Sequence, residues 1–222
     1  MKKILEKYFS RVKALRAHAV HENKFAPAKF GKEKLKIEQK KTDQTQLMLG
    51  WPGFNYQDAL NPVVAVMNTI FGGSMSSRLF IEIREKRGLA YLVRSGADNF
   101  RDAGYLYVRA GLEAKNINQT IQVVKVEIQK LVKKGVSPRE LKDAKTHIRG
   151  ALTLSLEDSS AQASWYAKEA LFMKKIENPG ERLKEIEKVT NAQIKALAKK
   201  VFDWRKVRVA IIGDVKREAI SF

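Results

Sequence analysis

The chain opens with Ile4, Leu5, Tyr8, Phe9, Val12 and Leu15 at helical spacing among basic residues. This predicts an amphipathic docking helix within residues 1–21. Residues 22–32 hold Pro27 and Gly31 among charges without a sustained period, so they read as a linker and a domain boundary. Leu35 and Ile37 then alternate with lysines, and Thr45 to Gly50 follows as TQLMLG, which predicts two strands before a turn at Trp51 to Gly53. Val63, Val66, Met67 and Ile70 return to helical spacing, with Pro62 tolerable in a first turn and Gly72 as a stop. That segment reads as a buried helix.

Ser76 or Ser77 as a cap, Leu79, Phe80 and Ile83 as the apolar face, and Gly88 past the end predict a short helix to Arg87. Two alternating segments follow, LAYLVRSGAD and AGYLYVRAGLE, around a turn containing Asn99, Arg101 and Asp102. They predict an antiparallel pair in which Tyr105, Tyr107 and Arg109 share one face and Leu106, Val108 and Ala110 the other. Ile117, Ile121, Val124, Ile128 and Leu131 mark a long helix that Gly135 ends. Ser137, Pro138 and Glu140 then form a strong helix start, with Leu141, Ala144, Ile148, Leu152 and Ser155 facing inward. More helix follows before KVRVAIIGD, a last strand whose apolar run suits a central place in a sheet.

Two strands, two helices, two strands, a run of helices and a last strand give an α+β fold. The expected architecture is an antiparallel-rich sheet with helices packed on one face, over residues 33–222.

Composition narrows the chemistry. The 222 residues are 44% hydrophobic and 30% charged, enough for a real core. Without cysteine there is no disulfide, thiol nucleophile or cysteine-ligated zinc. No apolar run approaches the roughly 20 residues of a membrane span, and charges interrupt any leader-like apolar region, so a soluble chain with no membrane partner is expected. The formal charge of +19 makes nucleic acid the first partner to test. Yet the lysines are scattered over almost every segment, with no aromatic motif for bases, and a solvated basic surface is the plainer account.

Histidine is scarce, at His18, His21 and His147. The first two are three apart with Glu22 outside them, whereas H-x-x-E-H places its two histidines four apart on one helical face. His147, between Lys145 and Arg149, suits a solvated or packing role. Neither G-x-S-x-G nor a phosphate-binding glycine loop is present, and Gly72 and Gly73 read as a turn between helices.

One constellation remains. Ser77-Arg78-Leu79-Phe80 is followed by Arg84 near a helix end, by Tyr91 opening a strand, and by Asp102-Ala103-Gly104. Around these lie Gln44-Thr45 with its strand, Pro138-Arg139-Glu140-Leu141, and a closing Ile211-Ile212-Gly213-Asp214. Together, over roughly residues 33–215, they resemble the zinc-free C-terminal half of pitrilysin-type (insulinase-like) zinc metallopeptidases, the mitochondrial processing peptidases included. The resemblance implies two homologous halves closing around a chamber. One half, in the same polypeptide or a separate subunit, carries H-x-x-E-H and zinc; this one supplies Arg84 and Tyr91 for substrate binding, with Tyr91 also a catalytic donor to the carbonyl or oxyanion. It implies no metal or other cofactor in this chain, and no peptide cleavage without the partner. It also makes residues 1–21 look like the last helix of a preceding domain.

The chemistry of the pair suits such a role, because a peptidase needs donors aimed at substrate carbonyls and at the developing oxyanion. Taken alone, Arg84 could equally cap its helix's carbonyls and Tyr91 pack on the sheet. Two other functions stay open: a non-catalytic scaffold subunit of the same fold, and nucleic-acid binding driven by charge.

Overall fold

In the computed structural model the described residues are 33–222 apart from 174, with Lys7 alone before them. The chain divides into residues 1–30 and residues 31–222. The expected helix over 1–21 and linker over 22–32 lie outside the described residues, as do His18 and His21.

The second unit is built on five strands: β1 (Leu35–Gln39), β2 (Thr45–Pro52), β3 (Ala90–Asn99), β4 (Gly104–Leu112) and β5 (Arg208–Gly213). They form one sheet in the order β1-β5-β2-β4-β3. The β1–β5 pairing is parallel, and β5–β2, β2–β4 and β4–β3 are antiparallel. The last strand thus lies inside the sheet, as its apolar run suggests. The turn expected at Trp51 is instead strand: β2 runs through Pro52, and Trp51 is buried edge-on against Phe202 with ring centroids 5.2 Å apart. Burying this large ring in the sheet removes more apolar surface from water than a solvated turn would.

Alternation decides the two faces. Leu47, Leu49 and Trp51 of β2, Leu106, Val108 and Ala110 of β4, and Val209 and Ile211 of β5 are buried in one core. Against them pack α1 (Asn61–Asn68), α2 (Ile117–Lys134) and α6 (Asn191–Val201) through Val63, Val66, Ile121, Val124, Ile194 and Leu197. Outside these lie α3 (Pro138–Ser155), α4 (Ser159–Phe172) and α5 (Pro179–Lys188). The fold is α+β. The opposite sheet face keeps Arg109 and Ala210 exposed, with Met48, Tyr105 and Tyr107 half-buried.

Helix limits follow the capping chemistry. The Ser137 hydroxyl accepts from Glu140 N–H at 3.2 Å while Glu140 accepts from Ser137 N–H at 2.7 Å, a reciprocal box that starts α3. Gly135 ends α2 at φ +73°, a conformation glycine adopts without a Cβ penalty. Three expectations need correction. Gly72 does not stop the first helix: α1 continues as a π-helical turn, Thr69–Gly73. The short helix after it is π-helical over Phe80–Glu85, and no side-chain hydrogen bond caps it; the Ser77 hydroxyl donates to Ser74 O at 2.6 Å. Ser155 is exposed, because the last turn of α3 has left the core, while Ala144 is the one buried residue of that helix.

Candidate functional site

Several residues of the constellation are occupied by the fold. Arg78 donates from Nε to Glu140 Oε1 at 2.6 Å and from Nη2 to Glu140 Oε2 at 3.0 Å and to Gly135 O at 2.9 Å. The fork of a planar guanidinium fits a carboxylate in this two-point way. The same Glu140 closes the capping box of α3, so Arg78 ties the start of one helix to the start of another. Burial raises the Glu140 pKa, but hydrogen bonds from Arg78 and Ser137 and the Arg78 charge outweigh it, and the net shift is downward. Gly104 is likewise structural. A Cβ there would stand 1.9 Å from Phe54 O, and Gly53 N–H donates to Gly104 O at 2.8 Å.

Arg84 is different. Arg87, rather than Arg84, bonds the helix carbonyls, with Nη1 2.7 Å from Glu82 O. Glu82 is held by Lys86 at 2.6 Å and Arg87 at 2.5 Å. The hydrogen bond from Lys86, then that from Arg87, lowers its pKa to about 2. Neighbours along a helix do not face each other, and Glu85 makes no ion pair with Arg84. The Arg84 guanidinium instead lies over the Phe80 ring, 5.1 Å from its centroid, and is exposed. Gly88, at φ +59°, then turns the chain into β3, its N–H bonded to Arg84 O at 3.1 Å.

Tyr91 is placed by an irregularity that the alternating pattern does not reveal. Ala90 pairs with Leu112 and Leu92 with Gly111, so Tyr91 is the extra residue of a β-bulge. Such a bulge re-aims a side chain and breaks the strict alternation of faces. The ring is 57% exposed rather than packed on the sheet. Its hydroxyl donates to Glu113 Oε1 at 3.5 Å, a long contact, while Lys115 pairs with Oε2 of the same Glu113 at 2.7 Å. No hydrogen bond joins Arg84 to Tyr91.

A cleft of about 280 Å³ adjoins Arg84. Gly72 to Met75, Phe80, Arg84, Leu92 to Arg94, and His147 line it. One wall depends on Gly72, where a Cβ would lie 2.7 Å from Ser95 N and 2.6 Å from Ser95 Oγ. Neither Gly72 nor Gly73 has positive φ, so the reason for Gly72 is close approach, not turning. His147 reaches the cleft from α3, far along the chain. The sequence offers no signal for this, since only tertiary packing brings that helix to β3, where Arg94 also lines the cleft.

Among the described residues no group of three His, Cys, Asp or Glu side chains is arranged to hold a metal ion, so they do not fit a resident zinc. No described helix is long and apolar enough to cross a membrane.

With this geometry in place, the likeness to known proteins can be specified. The family described as "Peptidase M16 inactive domain" matches residues 1–148. An uncharacterized zinc protease of Streptomyces coelicolor is 33% identical over 182 residues, covering 82% of this chain and 39% of that protein. A probable inactive metalloprotease of Bacillus subtilis is 28% identical over 199 residues, covering 89% of this chain and 45% of that protein. The crystal structure of a peptidase M16 inactive domain from Pseudomonas fluorescens superposes with TM-score 0.74 at 26% identity, over 86% of this chain and 47% of that one. The chain spans less than half the length of these relatives. The pitrilysin-type resemblance seen in the sequence is therefore borne out, and the chain belongs to the M16 peptidase family through its inactive domain.

Proposed function

We propose that this chain is the substrate-gripping, zinc-free half of a metalloendopeptidase that acts on unstructured peptides, and that an H-x-x-E-H half supplies the metal. The observation that carries this is a contrast within one motif. Arg78, Glu140 and Gly104 are committed to the fold, whereas Arg84 has no carboxylate or carbonyl partner among the described residues and Tyr91 is turned outward by a bulge. Residues of this size and polarity, held inside the chain only by a ring contact and a long 3.5 Å hydrogen bond, suit contact with something outside it.

Arg84 offers several N–H donors in a fixed fork, suited to the carbonyls of an extended peptide. Tyr91 offers one O–H donor, suited to the oxygen on which charge develops during peptide hydrolysis. The zinc of the partner half would supply the activated water. In this chain the tasks are to bind, align and donate. As part of the same proposal, residues 1–21 belong to a preceding domain and residues 22–32 link it to this one.

The test is steady-state cleavage of a quenched peptide by the chain combined with its H-x-x-E-H half. Tyr91→Phe should lower kcat roughly 10 to 1000-fold, the scale for losing one oxyanion donor. Arg84→Ala should act mainly on KM, because a guanidinium grips the ground state as well as the transition state. Neither variant should lower the melting temperature, since both side chains are exposed. If both cleave like the parent, the pair is structural and the protein is a scaffold of the same fold.

A further inference from the structure

The open face of the sheet carries a second cationic feature, distinct from Arg84. Register places Ala210, Met48, Arg109 and Arg94 in one row across β5, β2, β4 and β3. Arg94 and Arg109 are directly opposed, which puts their Cβ atoms about 5 Å apart on one face, and like charges so placed destabilise a sheet. Both are exposed, and among the described residues neither has a hydrogen bond or a carboxylate partner. Asp98 on β3, Glu113 just after β4 and Glu82 on the preceding helix are engaged elsewhere. Asp98 accepts from the Tyr105 hydroxyl at 2.6 Å, Glu113 pairs with Lys115, and Glu82 with Lys86 and Arg87. Arg94 also lines the cleft that holds Arg84.

From this we infer that Arg94 and Arg109 form a carboxylate-binding subsite that selects an acidic side chain in the bound peptide. The inference rests on the peptide-binding role proposed for Arg84 and Tyr91. An anion between the two guanidinium groups relieves their repulsion and can accept from both, and each fork is shaped for bidentate contact with a carboxylate. The surroundings favour a peptide over a nucleic acid. Tyr107 lies on Gly96, where a Cβ would come within 2.4 Å of its ring, and Tyr105 stacks on Phe100 with centroids 6.1 Å apart. These contacts leave Tyr105 and Tyr107 half-buried, which disfavours them as the stacking platforms that single-stranded nucleic acids use.

The experiment measures binding of fluorescent peptides to the whole chain by anisotropy at physiological salt. The peptides share one length and sequence and carry Glu, Gln or Lys at a scanned position. At one position the Glu peptide should bind about tenfold more tightly than its Gln counterpart, a difference of about 1.4 kcal/mol. That preference should fall to less than twofold in Arg94→Gln/Arg109→Gln. It should persist in Lys184→Gln/Lys195→Gln, which removes the same charge from exposed helical positions. Charge-blind peptide binding, or a preference that survives the arginine changes or is lost equally in the lysine control, overturns the subsite and leaves the role of Arg84 and Tyr91 standing. Binding of no peptide overturns both. If oligothymidylate binds more tightly than the Glu peptide and is lost with the arginines, the subsite is for phosphate and the carboxylate assignment is wrong.

Discussion

A methyl group at position 104 would stand 1.9 Å from the Phe54 carbonyl oxygen, a backbone atom that cannot swing aside. Gly104→Ala should therefore push the segment after β2 away from β4 and cost about 3 kcal/mol, the upper end of the usual range for overpacking. At this chain length the melting temperature should drop by roughly 6 to 12 °C. Gly150 gives the opposite sign. It lies inside α3 with nothing within 4 Å of a built Cβ, and glycine in a helix interior is about 1 kcal/mol worse than alanine. Gly150→Ala should raise the melting temperature by roughly 2 to 4 °C. Thermal melts followed by circular dichroism read both changes. Residue by residue, the sequence yielded identities more readily than reasons. Gly88 and Gly135 declare themselves as helix stops, because positive φ after a periodic run is a local requirement. Gly72 and Gly104 are needed for contacts with Ser95 and Phe54, which no local pattern contains.

Between elements, the Arg78–Glu140 pair joins the helix containing Phe80 to α3 and satisfies Gly135 O at the end of α2. The Arg78 side chain is 18% exposed and that of Glu140 is 32%, so truncating either leaves a partly desolvated partner without its counter-charge. Arg78→Ala should destabilise the domain by roughly 2 kcal/mol, between the values for exposed and fully buried pairs. Urea unfolding should show this as a lower midpoint at constant slope. The pH dependence follows from Glu82 and Glu140. Hydrogen bonds from Lys86 and Arg87 hold Glu82 at about 2 against an ordinary 4.5, so the unfolded chain binds a proton first as pH falls. The stabilising contribution is then whole above pH 4.5 and is lost between 4.5 and about 2. Glu82→Gln should bring the melting temperatures at pH 6 and pH 3 closer together than in the parent. The capping box of α3 was legible because Ser137, Pro138 and Glu140 carry its whole chemistry within four residues. The π-helical turns and the bulge at Tyr91 were not, because each inserts one residue into a regular period. The pattern around Tyr91 therefore resembles ordinary alternation, although the bulge is what exposes the ring.

For the molecule as a whole, element order was readable and sheet order was not. Periodicity reports what each segment buries, but the arrangement β1-β5-β2-β4-β3 needs the last strand to return between the first two, a pairing across nearly the whole unit. The cleft shared by Arg84, Arg94 and His147 was invisible for the same reason, since it depends on three elements meeting. The charge of +19 is a whole-molecule property too, spread so that any DNA or RNA binding should be sequence-blind and largely gone at physiological salt, as gel-shift titration would show. Metal is the remaining whole-molecule question. Among the described residues His147 is the sole histidine and no three-ligand group exists; His18 and His21 lack the four-residue spacing of H-x-x-E-H. A metal bound to the folded state at a thousand times its Kd would stabilise it by about 4 kcal/mol, which makes melting a sensitive reporter. The purified chain should accordingly melt at the same temperature with and without EDTA, carry no stoichiometric zinc by elemental analysis, and show no chelator-sensitive peptide cleavage. Adding the H-x-x-E-H half should restore cleavage that EDTA abolishes while leaving the melting of this chain alone unchanged. One-to-one zinc retained through dialysis and lost in His18→Ala would instead make this chain a metal carrier, and the division of labour between the two halves would have to be abandoned.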